Sequence, residues 1–420
     1  MADLFTANIG FSHIVVLSAL CCILFFRYLR QGPEILKESS FYFVIFCCGY
    51  ISAPIVAHHY GTPILVSPSE EARIHVSQYG LYIQLMMLLY QASKLASCGH
   101  QTTTYAPIKL PAISNRTIVV ASVLVVSYAS SVFLFNAQGF EIYWRDRGLA
   151  SEFVASLNRA YKLNLAFYSI AGLIIYLSLK TDSRRSIFLL TPFVFMDLLT
   201  TDRNFIFQVF ALWLAVSAYL NRSIPILRII LVSISIISVE VIRVAWRHGF
   251  SLSQFVIVPG ELLFTAESPY VILFSKEYIP FFDAVVYSFG KVLTPQLMTF
   301  IFDGTPHFRY IIDRNSPLSF GLGGSLISEP FSYGSQVVSI LYPFFIILYL
   351  EGLNRIRRNG GFFGLMIFAF FLTNLVNTFR GGLIFNSMDP LYYALYPNIW
   401  YWAARAWTSK RVIVATSKRT

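Results

Sequence analysis

Charged residues are scarce in this chain, and their scarcity excludes most soluble architectures. Asp, Glu, Lys and Arg make up 13% of the 420 residues, whereas hydrophobic residues make up 56% and the mean hydropathy is +0.61. Soluble domains carry about 25% charged residues. The composition therefore predicts an all-α polytopic membrane protein.

Acidic residues are outnumbered, yet the excess of basic residues does not indicate nucleic acid. The chain has 32 Lys and Arg against 21 Asp and Glu, a formal net charge of +11. It contains no basic helix and no dense Lys/Arg tract; the basic residues lie between apolar segments. Anchoring of cytoplasmic loops by positive charge explains this distribution, so we expect no nucleic-acid partner.

Cysteine is also rare, which bears on disulfides and metals. The five cysteines, Cys21, Cys22, Cys47, Cys48 and Cys98, all lie in or at the ends of the first three apolar segments. They form no disulfide framework and no zinc spacing. The chain also lacks a P-loop and a Gly-x-Ser-x-Gly motif. We expect no metal and no cofactor.

Long apolar runs fill most of the rest. A membrane-spanning helix needs about 20 apolar residues. About eleven segments qualify: 8–26, 41–57, 77–97, 117–136, 161–179, 185–200, 204–220, 224–242, 334–351, 361–379 and 386–404.

The basic residues orient these spans. Arg and Lys follow spans one, three, five, seven and nine and close the chain, so all odd-numbered spans end on one basic side. That side is the cytoplasm by the positive-inside rule, which puts the N-terminus outside and the C-terminus inside.

One long stretch that is not apolar enough to span a membrane divides the predicted spans into two groups. We expect an N-terminal transmembrane bundle of about eight helices over 1–243 and a large outer loop over 244–333. C-terminal transmembrane helices follow over 334–405, and a cytoplasmic tail over 406–420. Prolines cut the loop into short pieces, which fits short amphipathic helices in the outer interface.

Ionisable residues lie at the outer ends of the predicted helices: Asp197, Arg203, Glu240, Arg243 and Arg380. None lies at the midplane, which favours recognition or chemistry at the outer face over a midplane transport site. Arg203 is either a snorkelling or ion-paired arginine or a clamp for phosphate oxygens. Arg380 is either a helix C-terminal cation or a second clamp.

Glu329 stands before Pro330 at the predicted start of span nine. It is either a carboxylate of a helix first turn or a general base beside the outer arginines. His248, Asp303 and His307 are weaker candidates for the base.

Four stretches share an order along the chain: Thr201–Asn204, Lys291–Pro306, Ser325–Gly334 and Phe379–Gly382. In this order they resemble the O-antigen or oligosaccharide repeat-unit polymerases of the Wzy type. Thr201-Asp202-Arg203-Asn204 is similar to that family's arginine turn, although it lacks the glycine. The Pro-rich stretch from Lys291 to Pro306 is similar to its outer-loop segment. Ser325-Leu-Ile-Ser-Glu-Pro-Phe-Ser-Tyr-Gly334 resembles its Ser-x-x-Glu-x-x-x-x-Gly entrance to the next span. Phe379-Arg380-Gly-Gly382 resembles its late outer arginine motif.

The resemblance implies a metal-independent glycosyltransferase with a GT-C-like membrane fold in a bacterial inner membrane, its active site facing the periplasm. It would transfer the growing glycan from undecaprenyl diphosphate to the non-reducing-end sugar of an incoming lipid-linked repeat unit. The implied partners are undecaprenyl-diphosphate-linked oligosaccharides, membrane lipid and a chain-length regulator protein of the same pathway. We assign Arg203 and Arg380 to the diphosphate, with Arg145 and Arg243 as helpers, and Glu329 to the base.

Three alternatives stay open. An O-antigen ligase has the same helix layout. A lipid-phosphate-sugar glycosyltransferase would carry an acidic motif in its first outer loop, where Glu70-Glu71 is the candidate. A polysaccharide or lipid transporter, that is a flippase, would favour midplane charges and paired repeats, and the sequence shows neither.

Overall fold

The chain folds into α-helices. The computed structural model describes residues 2–59, 66–97, 108, 110–136, 153, 156, 163–200, 204–220, 260–292, 295–302, 306–316 and 324–398. Within these ranges there is no β-strand. The prediction of an all-helical chain is confirmed for this part.

Several helices are long and apolar enough to cross a membrane. In the described part there are five, or six when one interrupted pair counts as a span. They are Ile9–Gln31, Ser39–His58, Asn115–Val132, Leu163–Thr181 and Gln336–Asn359, and the pair is Gly361–Thr373 with Leu375–Gly381. They coincide with predicted spans one, two, four, five, nine and ten.

The remaining predicted spans have other outcomes. Span three is a helix over Glu70–Ser97, and span seven a shorter apolar helix, Phe205–Tyr219. Span six is a 3₁₀ turn, Arg185–Leu190, followed by the helix Thr191–Thr200. Span eight lies outside the described residues, and so does the end of span eleven. The count of eleven therefore stays a prediction.

The chain forms two compact units that alternate along the sequence. Unit 1 comprises Met1–Thr104, Ile257–Arg355 and Asn374–Asp389, and unit 2 comprises Tyr105–Val256, Ile356–Thr373 and Pro390–Thr420. This division by contacts does not test our division into bundle, outer loop and tail, which concerns placement relative to a membrane.

Unit 1 contains most of the helices. In chain order they are α1 (Ala2–Gln31), a 3₁₀ turn (Gly32–Lys37), α2 (Ser39–Cys47), a π-helical turn (Cys48–Ser52), α3 (Ala53–His59) and α4 (Glu70–Ser97). Its second stretch contains α9 (Gly260–Ser275), α10 (Phe281–Gly290), α11 (Pro295–Ile301), α12 (Phe308–Asn315), α13 (Ser328–Ser332) and α14 (Gln336–Asn359), whose last residues belong to unit 2. Its third stretch contains α16 (Leu375–Gly381) and α17 (Leu383–Asn386). The missing numbers belong to the helices of unit 2.

Unit 2 contains α5 (Asn115–Asn136), α6 (Leu163–Thr181), α7 (Thr191–Thr200), α8 (Asn204–Tyr219) and α15 (Gly361–Thr373). Helix α8 packs against α15, and α5 packs against α6 and α7. Phe167, Phe193 and Phe205 form an aromatic cluster, with ring centroids 5.1 to 5.3 Å apart. Burial of these rings stabilises the unit by the hydrophobic effect.

The second predicted span contains a π-helical turn with a local cause. Pro54 has no N–H and its ring clashes with the carbonyl of the residue four positions earlier, which is Tyr50. The chain widens over Cys48–Ser52, and the N–H of Ala53 bonds to the carbonyl of Cys48, five residues back. The two helical pieces thereby continue as one span.

An ionic network, buried at Arg27 and partly exposed at Glu351, joins the C-terminal parts of α1, α4 and α14 in unit 1. Arg27, with no exposed side-chain surface, bonds to Glu38 at 2.7 Å. Lys94 contacts Glu38 at 3.1 Å and Glu351 at 2.7 Å. The C-terminal parts of the helices of predicted spans one, three and nine therefore lie together, and their position on the cytoplasmic side stays a prediction.

The predicted short helices of the outer loop are present as α10, α11 and α12. On α10 the exposed apolar residues Phe282, Val286 and Phe289 recur at helical spacing, with 76%, 51% and 57% of their surface exposed. Phe300 on α11 is 83% exposed. Exposed apolar faces of this kind fit the outer interface of a membrane, and that placement stays a prediction.

Candidate functional site

Glu329 lies at the centre of a buried hydrogen-bond cluster in unit 1. Its Oε1 accepts from the hydroxyl of Tyr333 at 3.0 Å and from the N–H of Phe385 at 3.1 Å. Its Oε2 accepts from the N–H of Leu383 at 2.5 Å, from that of Ile384 at 3.1 Å and from the hydroxyl of Tyr342. The carboxylate therefore has five donors and no exposed surface.

Three of these donors are backbone groups at the start of α17. The first N–H groups of a helix have no partner within it and need an external acceptor. Glu329 supplies that acceptor from a segment more than fifty residues earlier in the chain. It thus fixes the turn between α16 and α17. It also lies in the first turn of the short helix α13, which precedes the helix of predicted span nine, α14, instead of starting that span.

Opposing effects act on the acidity of Glu329. Burial raises the pKa of its carboxyl above the ordinary value, while hydrogen bonds from Tyr342, the α17 backbone and Tyr333 act in the other direction. Burial, followed by the nearby carboxylate, raises the pKa of Tyr333 well above its ordinary value, so this tyrosine stays a proton donor. A carboxylate surrounded by donors is well suited to hold a turn.

Gly382 makes this arrangement sterically feasible. Its backbone has φ 84° and ψ 156°, a conformation essentially restricted to glycine. A Cβ at this position would lie 2.5 Å from Cδ of Glu329 and 2.6 Å from its Oε1. Only a residue without a side chain lets the chain pass this close to the carboxylate.

Arg380 lies two residues before Gly382, in the last turn of α16, and is half-buried. The negative end of the helix dipole favours a cation here, which agrees with the simpler interpretation of this arginine. Since Glu329 fixes the turn that follows, it also fixes the helix end that carries Arg380. The structure thus brings two of the predicted site segments together through the backbone.

His307, which the sequence analysis gave as a weaker candidate for the base, contacts the same turn. Its Nδ1 accepts from the N–H of Arg309 at 2.9 Å, and its ring meets that of Phe385 edge to face with centroids 4.0 Å apart. Burial, together with the charges of Lys291 and Arg309, lowers its pKa to about 3, against a hydrogen bond to the backbone of Gly381. His307 is therefore neutral, with its proton on Nε2.

Lys291 anchors the far end of this segment. Its Nζ lies 2.7 Å from Oδ1 of Asp389, donates to the carbonyl of Phe385 at 2.5 Å and sits 4.1 Å from the centre of the Phe385 ring. Two of the four resembling stretches therefore contact residues 381–389, namely the one beginning at Lys291 and the one containing Glu329. The stretch that ends at Gly382 supplies the first two residues of this segment. We call residues 381–389 the anchor segment.

The other predicted site residues have different outcomes. Arg203, Arg145 and Arg243 lie outside the described residues, and so do Glu240, His248 and Asp303. Glu70 and Glu71 are exposed in the first turn of α4, where the helix dipole favours carboxylates.

Two buried carboxylates have structural contacts. Asp197 accepts from the N–H of Ile206 at 2.8 Å and so caps the first turn of α8 within unit 2. Sequence reasoning missed Glu267, which is 1% exposed on α9 and accepts from the N–H of Val66 at 3.0 Å. Its position in the apolar part of Gly260–Ser275, where a carboxylate is unusual, was the signal that could have found it.

Metal-ligating side chains do not cluster in the described ranges. Within them, no three His, Cys, Asp or Glu side chains are close enough together to share a metal ion.

Comparisons of the chain with protein-family models, with curated proteins and with solved structures find no match.

Proposed function

We propose that the protein is a membrane glycosyltransferase that polymerises lipid-linked oligosaccharide repeat units. It transfers the growing glycan from undecaprenyl diphosphate to the non-reducing-end sugar of an incoming undecaprenyl-diphosphate-linked repeat unit. The proposal places this reaction at the outer face of a bacterial inner membrane, in a GT-C-like bundle of about eleven spans. It also retains a chain-length regulator protein as a partner.

The meeting of three separate stretches at the anchor segment carries the proposal, because all three resemble parts of one polymerase family. Glu329 accepts from three backbone N–H groups of the segment, and Lys291 contacts its residues Phe385 and Asp389. The third stretch ends at Gly382, where a Cβ would overlap the carboxylate of Glu329. Distant stretches that meet at one polar cluster favour a built site over independent helix ends.

The reaction needs charge neutralisation and one proton acceptor. The acceptor hydroxyl oxygen bonds to the anomeric carbon of the donor glycan while the bond from that carbon to the diphosphate oxygen breaks. The electron pair of the broken bond leaves with undecaprenyl diphosphate, and the hydroxyl proton passes to a base. Arg380 and Arg203, with Arg145 and Arg243 as helpers, would stabilise the charge on the leaving diphosphate.

The geometry allows two alternative roles for Glu329, a general base or a positioning residue. A carboxylate offers about four lone-pair positions, and five donors already point at this one. Acting as the base therefore requires Tyr333 or Tyr342 to move aside when the acceptor binds. Without that movement, Glu329 is a positioning residue that holds the turn behind Arg380.

Purified protein incubated with undecaprenyl-diphosphate-linked repeat units tests the proposal. We expect a ladder of products that differ by one repeat unit, formed without lipid A core. A product seen only when lipid A core is added would instead identify a ligase. Movement of unextended lipid-linked units across a vesicle membrane, without a ladder, would identify a flippase.

A further inference from the structure

An open cleft in unit 1 lies next to the anchor segment. Its volume is about 510 Å³, and its walls come from α12 and from the segment between α9 and α10. Ligand-binding clefts have volumes of about 300–1,000 Å³. The side chains that carry the argument are Glu277, Tyr278, His307, Tyr310, Asp313 and Arg314.

Two tyrosine rings line this cleft and are exposed. Tyr278 is 60% exposed and Tyr310 is 61% exposed. Both rings line the same concave surface, so their faces are available to one ligand. An aromatic face that is covered by a ligand gains the hydrophobic stabilisation that it lacks in the free protein.

The Tyr278 ring packs against protein backbone on the side away from the cleft. Gly334 has φ +61°, and a Cβ there would lie 2.6 Å from Cγ of Tyr278, so the ring packs directly against the glycine backbone. The next residue, Ile279, donates its N–H to the carbonyl of Ser332 at 2.8 Å. The ring is therefore a fixed platform with its outer side open to the cleft.

Charged groups of both signs accompany the two rings. Arg314 forms an ion pair with Glu277, whose Oε1 also accepts from Asn315 at 3.2 Å. Asp313 lies 3.6 Å from Arg309, one turn away on α12. These side chains are between 36% and 70% exposed, so they can still bond to a ligand.

This combination selects the class of ligand. A sugar ring presents an apolar C–H face that packs on an aromatic ring and hydroxyls that both donate and accept hydrogen bonds. An acyl chain in the cleft would desolvate three charged groups, Glu277, Asp313 and Arg314, without replacing their hydrogen bonds, which is unfavourable. A simple anion would meet two carboxylates and one guanidinium that already has an ion-pair partner.

The cleft is continuous with the candidate site through His307. This residue lines the cleft, and it also contacts the Phe385 ring and the backbone of Gly381, the neighbour of Arg380. We propose that the cleft binds the oligosaccharide part of the lipid-linked substrate, with Tyr278 and Tyr310 as stacking platforms. This inference rests on the proposed function and adds to it the location of the glycan subsite.

Direct binding of a glycan without its lipid tests the inference. The probe is the oligosaccharide released by mild acid from the lipid-linked repeat units of the native cells, titrated against purified protein by saturation-transfer NMR. We expect Tyr278→Ala and Tyr310→Ala each to raise the Kd at least tenfold, while Tyr278→Phe and Tyr310→Phe, which keep the ring, stay within twofold to threefold. Tyr28→Ala on α1 removes a tyrosine that is 46% exposed elsewhere and should leave the Kd unchanged.

Two results would overturn the inference: no binding of the probe by the unaltered protein, or equal Kd values for the unaltered protein and the Tyr278→Ala/Tyr310→Ala double variant. The ladder assay on the same preparations separates this outcome from failure of the proposed function. A ladder with no effect of the tyrosines on the Kd defeats the cleft alone. Tyrosine-dependent binding without a ladder supports the cleft and defeats the polymerase.

Discussion

Replacing Gly382 by alanine gives the sharpest structural test of the cluster around Glu329. The backbone conformation of Gly382 costs an L-residue about 1–3 kcal/mol. The new methyl group would also lie 2.5 Å from Cδ and 2.8 Å from Oε2 of Glu329. The carboxylate has no free direction in which to move, because five donors hold it.

Relief of the overlap must therefore weaken at least one bond from the α17 backbone to Glu329. Hydrogen bonds to charged groups contribute about 1.5–3 kcal/mol each. Together the two effects predict that Gly382→Ala lowers the free energy of unfolding by about 2.5–6 kcal/mol. Denaturation of the detergent-purified protein with increasing SDS, followed by far-UV circular dichroism, measures this difference.

A matched glycine on another helix controls for the substitution itself. Gly352 lies inside α14, and a Cβ there would meet no atom within 4 Å. Alanine is favoured over glycine in a helix by about 0.5–1 kcal/mol, so Gly352→Ala should be neutral or slightly stabilising. If Gly382→Ala unfolds within about 1 kcal/mol of the unaltered protein, the turn is not held as tightly as its contacts indicate.

The remaining predictions concern activity and pH. Arg380→Ala and Arg203→Ala should abolish the product ladder at normal expression, because the diphosphate loses its countercharge; near-normal chain length would contradict that role. Glu329→Gln should make no polymer yet still bind lipid-linked donor in a filter assay, and normal polymer would place the base elsewhere. A base role also predicts an altered pH–rate profile for any residual activity, whereas a positioning role lowers the rate equally at every pH. His307 has a pKa of about 3 when folded and about 6.5 when unfolded, so the native state holds fewer protons between these values and stability rises with pH there. Taking the purified protein from pH 8 to pH 5 should therefore lower the free energy of unfolding by about 1–2 kcal/mol. In the His307→Gln variant the free energy of unfolding, measured by SDS denaturation, should change less with pH over this range. An unchanged pH dependence in the variant would show that other titrating groups cause it.

Local pattern alone determined the helical class of this protein and most of its helix positions. Runs of apolar residues long enough to cross a membrane form helices because such helices satisfy their own backbone hydrogen bonds without water. The prolines of the predicted outer loop likewise indicated short helices, and Pro280 and Pro295 stand at the starts of α10 and α11. The prediction was wrong for Pro269, which lies inside α9 without ending it. The basic residues after spans one, three and nine indicated a common side, and the network of Arg27, Lys94 and Glu351 joins those three ends.

Tertiary structure decided the surroundings of the candidate site. Glu329 could be read from the sequence only as a helix-start carboxylate or a base, because its backbone partners lie 54 to 56 residues away. The pairing of His307 with Gly381, and of Lys291 with Asp389, is equally remote along the chain. Helix periodicity is a property of neighbouring residues, whereas hydrogen bonds between distant segments depend on how the helices pack. The sequence therefore supplied the groups of the site, and only packing determined that a buried carboxylate, a glycine and a neutral histidine meet at one turn.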